Sequence, residues 1–500
     1  MGKKTILGNK LIICRMESYN EQTNHLVVAV DIGTTKVCAI AGRRNQYGKV
    51  EVLAVSKVES EGVTRGVVAN IEKTSKAILE AVQSIENRIN AKVHKVYVGI
   101  AGQHIKSLQH RGILMRDNAH NEIGETDIEK LISDMYRLVL PPGDRILHVY
   151  PQEFTVDNEP GIIDPVGMSG VRLEANFHIV TTQDTACSNL KRCFERVGLE
   201  VTDVILEPIA SSFAVLTDDE MEAGVALIDI GGGTTDLTIF YDGILRHTAV
   251  IPFGGNVVTK DIKEGCTVMQ QQAEKLKIKF GTALAEEVID NRIITIPGFK
   301  SRDNKEISEK NLSLIIQARL EEIFDYALSE IRRSGYENKL IGGLVLTGGG
   351  ALLKNVDLLA EYHTGIQTRI GHPIENLAHG YIPSLSSPVY STSIGLLIYG
   401  LNNSTEDAVT FNQKQETVKQ KSEFESPKET FVSTANPKTK KLAIGRSVTP
   451  DFDEAPVVVE DKGSGGGRRN TEGHKLGDFF DKVFKRTKDW FEASPDHDFE

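Results

Sequence analysis

Val30-Asp31-Ile32-Gly33-Thr34-Thr35-Lys36 returns about 200 residues later as Ile228-Asp229-Ile230-Gly231-Gly232-Gly233-Thr234-Thr235-Asp236. Each copy runs from an apolar segment through an aspartate and a turn of small residues into a second apolar segment: Val37 to Ala41 in the first, Leu237 to Phe240 in the second. This pattern predicts two β-hairpins, each with a carboxylate at the end of a buried strand. Glycine lets backbone approach a ligand closely. Free amides and the hydroxyls of Thr34, Thr35, Thr234 and Thr235 suit phosphate oxygens. Two such loops, with Gly33 and Lys36 on one and Gly231, Gly232 and Gly233 on the other, can clamp a polyphosphate. Asp31 and Asp229 would then face a shared Mg²⁺ through its waters. The alternative is a pair of ordinary hairpins with glycine turns, and two matched copies argue against it.

Between the signatures the chain alternates helix and strand patterns. Residues 71–89 read as an amphipathic helix with Ala77, Ile78, Ala81, Val82 and Ile85 on one stripe, followed by a strand over 93–100. A helix begins at Thr126-Asp127, with either residue as its cap. Residues 145–181 read as strands 146–150, 152–156 and 173–180. We expect residues 101–183 to form an inserted α+β domain. Strand–helix order resumes at Val204-Ile205-Leu206-Glu207-Pro208, where proline suits a first helical turn. Glu207 at that junction can hold an attacking water, or simply cap the helix. Glu274 and Lys277 lie one turn apart on a helix, able to share a ligand or pair with each other. Residues 313–332 form another amphipathic helix. Then Leu344 to Thr347 leads into Gly348-Gly349-Gly350 and a helix, bare backbone against which a base or ribose can lie. Ser391 to Tyr399 is a small-residue helix suited to crossing the middle of the molecule.

Composition bounds the class. Five hundred residues suggest about three domains. The five cysteines are scattered without a CxxC pair, which argues for reduced thiols rather than a disulfide framework or zinc site. A net charge of -11 argues against nucleic acid as a partner. Leu11-Ile12-Ile13 is too short for a signal-peptide core, and no 18-residue apolar run occurs. Met1 or Met16 can be the start. His148 and His178 read as structural histidines, Cys187 and Cys193 as packed thiols.

In order and character, residues 30–42, 204–216, 226–240, 344–356 and 387–400 resemble the actin/Hsp70/sugar-kinase superfamily. The resemblance implies an actin-like α/β fold of two lobes with duplicated ribonuclease-H-like domains around an ATP–Mg²⁺ cleft. It also implies that Glu274 and Lys277 contact the adenosine, and that Glu207 and Asp229 serve any hydrolysis. The expected division is an N-terminal extension (1–24), a first lobe (25–100, 184–223 and 375–402) carrying the insert, and a second lobe (224–255 and 336–374) carrying a helical subdomain (256–335).

The end of the chain separates branches of that superfamily. Residues 403–474 lack helical or strand periodicity and read as a linker, with a span on the order of 50 Å as a flexible coil. Over 475–492, Leu476, Phe479, Phe480, Val483, Phe484, Trp490 and Phe491 fall on one helical stripe. Lys475, Lys482, Lys485, Arg486 and Lys488 lie around it, the pattern of a helix lying in a membrane interface. Docking on the protein's own body or on a partner is the other reading. Gly477 and the acidic tail (493–500) weaken a single copy, so avidity from many assembled copies suits it. Core, insert and tethered helix together resemble the FtsA family of bacterial cell-division proteins. That resemblance implies tethering of the tubulin-like protein FtsZ, through its C-terminal tail, to the cytoplasmic membrane at the septum. It further implies self-association into filaments and recruitment of other septal proteins, with slow ATP turnover or none. A sugar-kinase-like phosphotransferase is the alternative, but no further carboxylate motif announces its base. A chaperone ATPase would need a β-rich domain after the adenosine loop.

Overall fold

The computed structural model describes residues 25–116, 122–297, 304–404 and 408–411 and the short strand Val458–Val459. Two five-stranded sheets repeat one plan. In the first lobe, Val27–Ile32, Lys36–Arg44 and Val50–Glu59 form an antiparallel meander, and Lys95–Ile100 and Glu200–Leu206 extend it in parallel beyond Val27–Ile32. In the second, Val225–Ile230, Thr235–Tyr241 and Ile244–Ile251 form the meander, and Leu344–Thr347 and Thr368–Ile370 the parallel side. Every residue of Val27–Ile32 and Val225–Ile230 is buried, as expected of central strands covered on both faces.

Helices cover these sheets because their apolar stripes must be buried. Ile71–Ile89 forms as expected, with Asn70 capping its start through the Lys73 amide at 3.0 Å and left-handed Asn90 ending it. The strand expected over 93–100 is broken at His94 into Ala91–Val93 and Lys95–Ile100. Val409–Phe411 pairs with Ala91–Val93, so the first lobe reaches past residue 402 and buries Ala408 and Val409.

The insert is a four-stranded antiparallel sheet, in the order Glu159–Ile162, Asp144–Val156, Arg172–Gln183, Lys106–Met115. One helix, Glu125–Met135, packs Leu131, Ile132 and Met135 against Phe154, Leu173, Phe177 and Ile179. Two details differ from expectation. Neither Thr126 nor Asp127 is the helix cap: Gly124 holds that position, and Asp127 reaches back to accept from its amide at 3.2 Å. The two strands anticipated around Pro151 are one, Asp144–Val156, whose register shifts between the partners of Asn176 and Phe177. Such a bulge lets the strand bend without ending. The insert also touches the second lobe, where Gln152 Nε2 donates to the Leu245 carbonyl at 2.6 Å and His178 Nε2 meets Thr248 Oγ1 at 3.0 Å.

In the second lobe, Gly255–Cys266, Gln270–Phe280 and the long helix Glu309–Ser334 pack with the ribbon Ile293–Ile296/Lys305–Ser308, on whose edge Val458–Val459 pairs. That helix is longer at both ends than the sequence pattern over 313–332; Ser308 caps it and left-handed Gly335 stops it. Between the lobes, Glu207–Val215 crosses Ser391–Asn403. Ile209, Ala210, Ala214, Ile394 and Leu397 join both sheets into one core there. A Cβ on Gly395 would stand 1.7 Å from the Ala210 carbonyl oxygen, so only glycine permits this crossing.

Candidate functional site

The two signature hairpins turn alike. Gly33 N donates to Lys36 O at 2.9 Å, and Gly231 N donates to Thr234 O at 2.9 Å. Their tips meet across the cleft between the lobes. A Cβ on Gly232 would come within 2.5 Å of Thr35 Cγ2, and one on Gly233 within 2.5 Å of Thr34 Oγ1. The extra glycines of the second copy are therefore a steric requirement of two loops facing each other. Not every threonine is free for a ligand: buried Thr235 donates its hydroxyl to the Phe253 carbonyl at 2.8 Å.

Each aspartate is held from the crossing helices. Ser393 Oγ donates to Asp31 Oδ2 at 3.0 Å, and Lys36 Nζ stands 2.8 Å from the same oxygen. Ser211 Oγ donates to Asp229 Oδ2 at 2.7 Å and Thr392 Oγ1 to the same atom at 3.3 Å. Lys36 also donates to the Val389 carbonyl at 2.7 Å, tying the first loop to the 3₁₀ turn Pro388–Tyr390 that leads into the second crossing helix. Glu207 begins the first crossing helix and is half-buried beside these groups.

The charges do not balance. Asp31, Asp229, Asp236 and Glu207 gather around one ammonium, Lys36. Burial, then the fields of Asp31, Asp236 and Asp229, push the Glu207 carboxyl well above the usual carboxylate range. Burial also raises Asp229, although Ser211 and Lys36 oppose it, and raises Asp236, with Asp229 adding to the effect. Burial works against the charged form of Lys36, but Asp31, with Cys38 and Asp229 adding to it, outweighs burial and keeps the ammonium protonated. One oxygen of Asp236 is buried without a hydrogen-bond partner. Carboxylates in excess, one of them partly unsatisfied, can attract a hard cation through its waters, although among the described residues no three His, Cys, Asp or Glu stand close enough together to hold a metal ion directly. Glycine loops that a Cβ would fill suit an anion such as phosphate.

Gly348, Gly349 and Gly350 follow Leu344–Thr347 beside the second loop. Gly348 has φ +83, and a Cβ on it would stand 2.2 Å from Asp229 Oδ1; one on Gly350 would strike Ile230 Cγ2 at 2.2 Å. Gly349 faces open space. The helix expected directly after these glycines starts later, at Val356, after a 3₁₀ turn over Gly349–Leu352 and a left-handed Asn355. Glu274 and Lys277 pair at 2.8 Å, and Lys277 also donates to Thr259 Oγ1 at 2.7 Å and the Gly255 carbonyl at 2.9 Å. Their helix thus packs on the one that begins beside the second loop, where Gly255 N donates to Gly231 O at 2.9 Å. The membrane-facing candidates Leu476, Phe479, Phe480, Val483, Phe484, Lys485, Arg486, Trp490 and Phe491 lie outside the described residues. Among the described residues, no helix is long and apolar enough to cross a membrane.

The sequence reading missed Asp236, Ser211, Thr392 and Ser393. Asp236 was legible: it closes the second signature and faces Asp229 across the hairpin, as Cys38 faces Asp31 in the first. The three hydroxyls lie on helices where serine and threonine are unremarkable without tertiary context.

Duplicated sheets, facing glycine–threonine hairpins and helices crossing between the lobes define a protein of the actin-like class. A solved type IV pilus biogenesis complex, PilM–PilN, has this fold with a TM-score of 0.55 at 14% identity, covering 75% of this chain and 98% of that one. The family model "Cell division protein FtsA" matches residues 226–395, and "SHS2 domain inserted in FTSA" matches residues 102–181. The cell division protein FtsA of Pseudomonas aeruginosa is 40% identical over 386 residues, 77% of this chain and 91% of its own. That of Escherichia coli K12 is 35% identical over 384 residues, 75% of this chain and 90% of its own. The chain belongs to the FtsA family of cell-division proteins.

Proposed function

We propose that the chain is an ATP-switched adaptor that assembles into actin-like filaments, holds FtsZ filaments at the cytoplasmic face of the membrane and recruits later septal proteins. The observation that supports this most is the cleft: two facing hairpins with three buried aspartates and half-buried Glu207 near one lysine, in a chain of the FtsA family. Asp31 and Asp229 would hold Mg²⁺ through its waters, and the amides and hydroxyls of Gly33, Thr34, Thr35, Gly231, Gly232, Gly233 and Thr234 would hold ATP phosphates. Bound Mg²⁺ supplies positive charge that offsets the carboxylates and draws phosphate oxygens to them. Gly348, Gly349 and Gly350 would offer backbone to the nucleoside, Gly349 from its open side, and Glu274 and Lys277 would contact the nucleoside as well.

Glu207 would hold a water against the terminal phosphate. As the structure stands, burial and three neighbouring carboxylates favour its neutral form, a poor proton acceptor. That supports a switch with slow turnover over a rapid ATPase. The helical subdomain 256–335 is the expected seat of the FtsZ tail, and the helix at 475–492 the membrane contact. Asp229→Ala removes the anchor of Ser211 and Thr392 as well as a cation ligand, so Mg²⁺-ATP binding should be lost by isothermal titration calorimetry. Affinity undiminished in that variant would refute the cleft assignment.

A further inference from the structure

Arg65 occupies a place in the fold that an arginine adopts only at a cost. It sits with Gly66 at the tip of a small hairpin, Val63–Thr64 paired with Val67–Val68, at φ 49, with Gly66 at φ 75. Two successive positive φ values make a turn whose first position normally favours asparagine, aspartate or glycine. Backbone strain of this kind is maintained when the surroundings over-determine it, and here they do. Gly66 N donates to Thr34 Oγ1 at 3.2 Å, and Ser60 N donates to the Thr35 carbonyl at 3.1 Å, so the hairpin hangs from the first phosphate-type loop. On its other side, a Cβ on Gly233 would stand 3.0 Å from Arg65 Cα, which puts the tip against the second loop. A Cβ on Gly102, where the insert begins, would stand 3.0 Å from the Arg65 carbonyl oxygen.

The tip thus touches both loops at the one place where they face each other. Among the described residues the Arg65 side chain is exposed and has no hydrogen bond or ion pair. Lys36, the other cation of the cleft, is committed to Asp31 and Val389. An unpaired guanidinium carried on backbone fixed at that junction suits the oxygens of a terminal phosphate, which it can meet with two parallel donors.

We propose that Arg65 reads the terminal phosphate of a bound nucleoside triphosphate, and that its hairpin ties this contact to the root of the insert. The idea rests on the cleft binding a nucleotide; it adds the residue that tells triphosphate from diphosphate. Lys36 and the glycine loops serve both nucleotides, whereas Arg65 contributes only when the terminal group is present.

Equilibrium binding of a non-hydrolysable ATP analogue and of ADP, both with Mg²⁺, tests it in the full chain. Arg65→Gly suits the positive φ and removes the charge, so melting temperature should hold or rise. Analogue binding should weaken about tenfold, as for loss of a charge-assisted hydrogen bond, while ADP binding stays within about twofold. Arg65→Lys should recover part of the difference. An unchanged analogue-to-ADP ratio in Arg65→Gly, with ADP still bound, overturns the role of Arg65 and leaves the cleft reading standing. Equal weakening for both nucleotides overturns the discrimination. Failure of the unaltered protein to bind either nucleotide overturns both.

Discussion

His148 and His178 make a quantitative prediction about acid. Each is buried in the insert's sheet with partners that suit a neutral ring. His148 Nε2 accepts from the Leu206 amide at 3.3 Å, which puts its ring proton on Nδ1. His178 meets Ser107 Oγ at 3.2 Å and Thr248 Oγ1 at 3.0 Å. Burial lowers the pKa of His148 from 6.5 to about 4. Burial, with His247 nearby, lowers that of His178 from 6.5 to about 3. Since the folded values lie below the unfolded one, the unfolded chain binds more protons between them, and stability falls as pH drops below about 6.5. From pH 7.5 to pH 5 each histidine then costs roughly 2 kcal/mol, about 4 kcal/mol together.

The carboxyls of Glu207, Asp229 and Asp236 have raised folded values, so they act in the opposite sense: their contribution is present in acid and lost as pH rises through those values. The wild-type pH profile alone therefore mixes the two, and the test is a difference. Urea unfolding followed by circular dichroism should show the His148→Gln/His178→Gln variant losing about 4 kcal/mol less than wild type between pH 7.5 and pH 5. An equal loss in both proteins would show that the two rings do not resist protonation as their burial requires.

Gly395→Ala would drive a methyl into the Ala210 carbonyl, a 1.7 Å contact that only separating the crossing helices relieves. The expected cost is about 3 kcal/mol, at the upper end for overpacking, and an unchanged melting temperature would refute the crossing as described. Trp490 is the single tryptophan of the chain. Its emission should shift to the blue when liposomes are added with ATP present, and deleting residues 475–500 should abolish sedimentation with vesicles. No shift and no sedimentation of the full chain would reject the membrane contact.

How much of this was legible in the sequence depended on the range of the interaction. The hairpins, the helix Ile71–Ile89 and the strand entering Glu207 depend on neighbours along the chain, and their patterns stated them. The long strand Asp144–Val156 was divided because Pro151 ordinarily ends a strand; a bulge against Arg172–Gln183 absorbs it, and that partner lies over 20 residues away. The helix placed directly after Gly350 comes later because Gly348 and Gly350 press on Asp229 and Ile230 of the neighbouring strand, a constraint visible only across the sheet. Arg65 gave no signal at all, since Thr-Arg-Gly reads as an ordinary loop until both signature hairpins are placed beside it.

The crossing helices explain why one site can govern the arrangement of two lobes. The first crossing helix carries Ser211, and the second carries Thr392 and Ser393. Ser211 and Thr392 converge on one oxygen of Asp229 and lie 3.1 Å from each other, while Ser393, one residue further on, holds Asp31. Each aspartate belongs to a different lobe, yet both take hydrogen bonds from the same helix. Any slide of one crossing helix over the other must therefore lengthen bonds to Asp229, Asp31 or both, and leave a buried carboxylate short of a donor. Gly395 sits at the point of closest approach, where the helices touch backbone to backbone and little slack remains. A displacement of either aspartate would therefore act directly on the contacts between the lobes, with no intermediate relay.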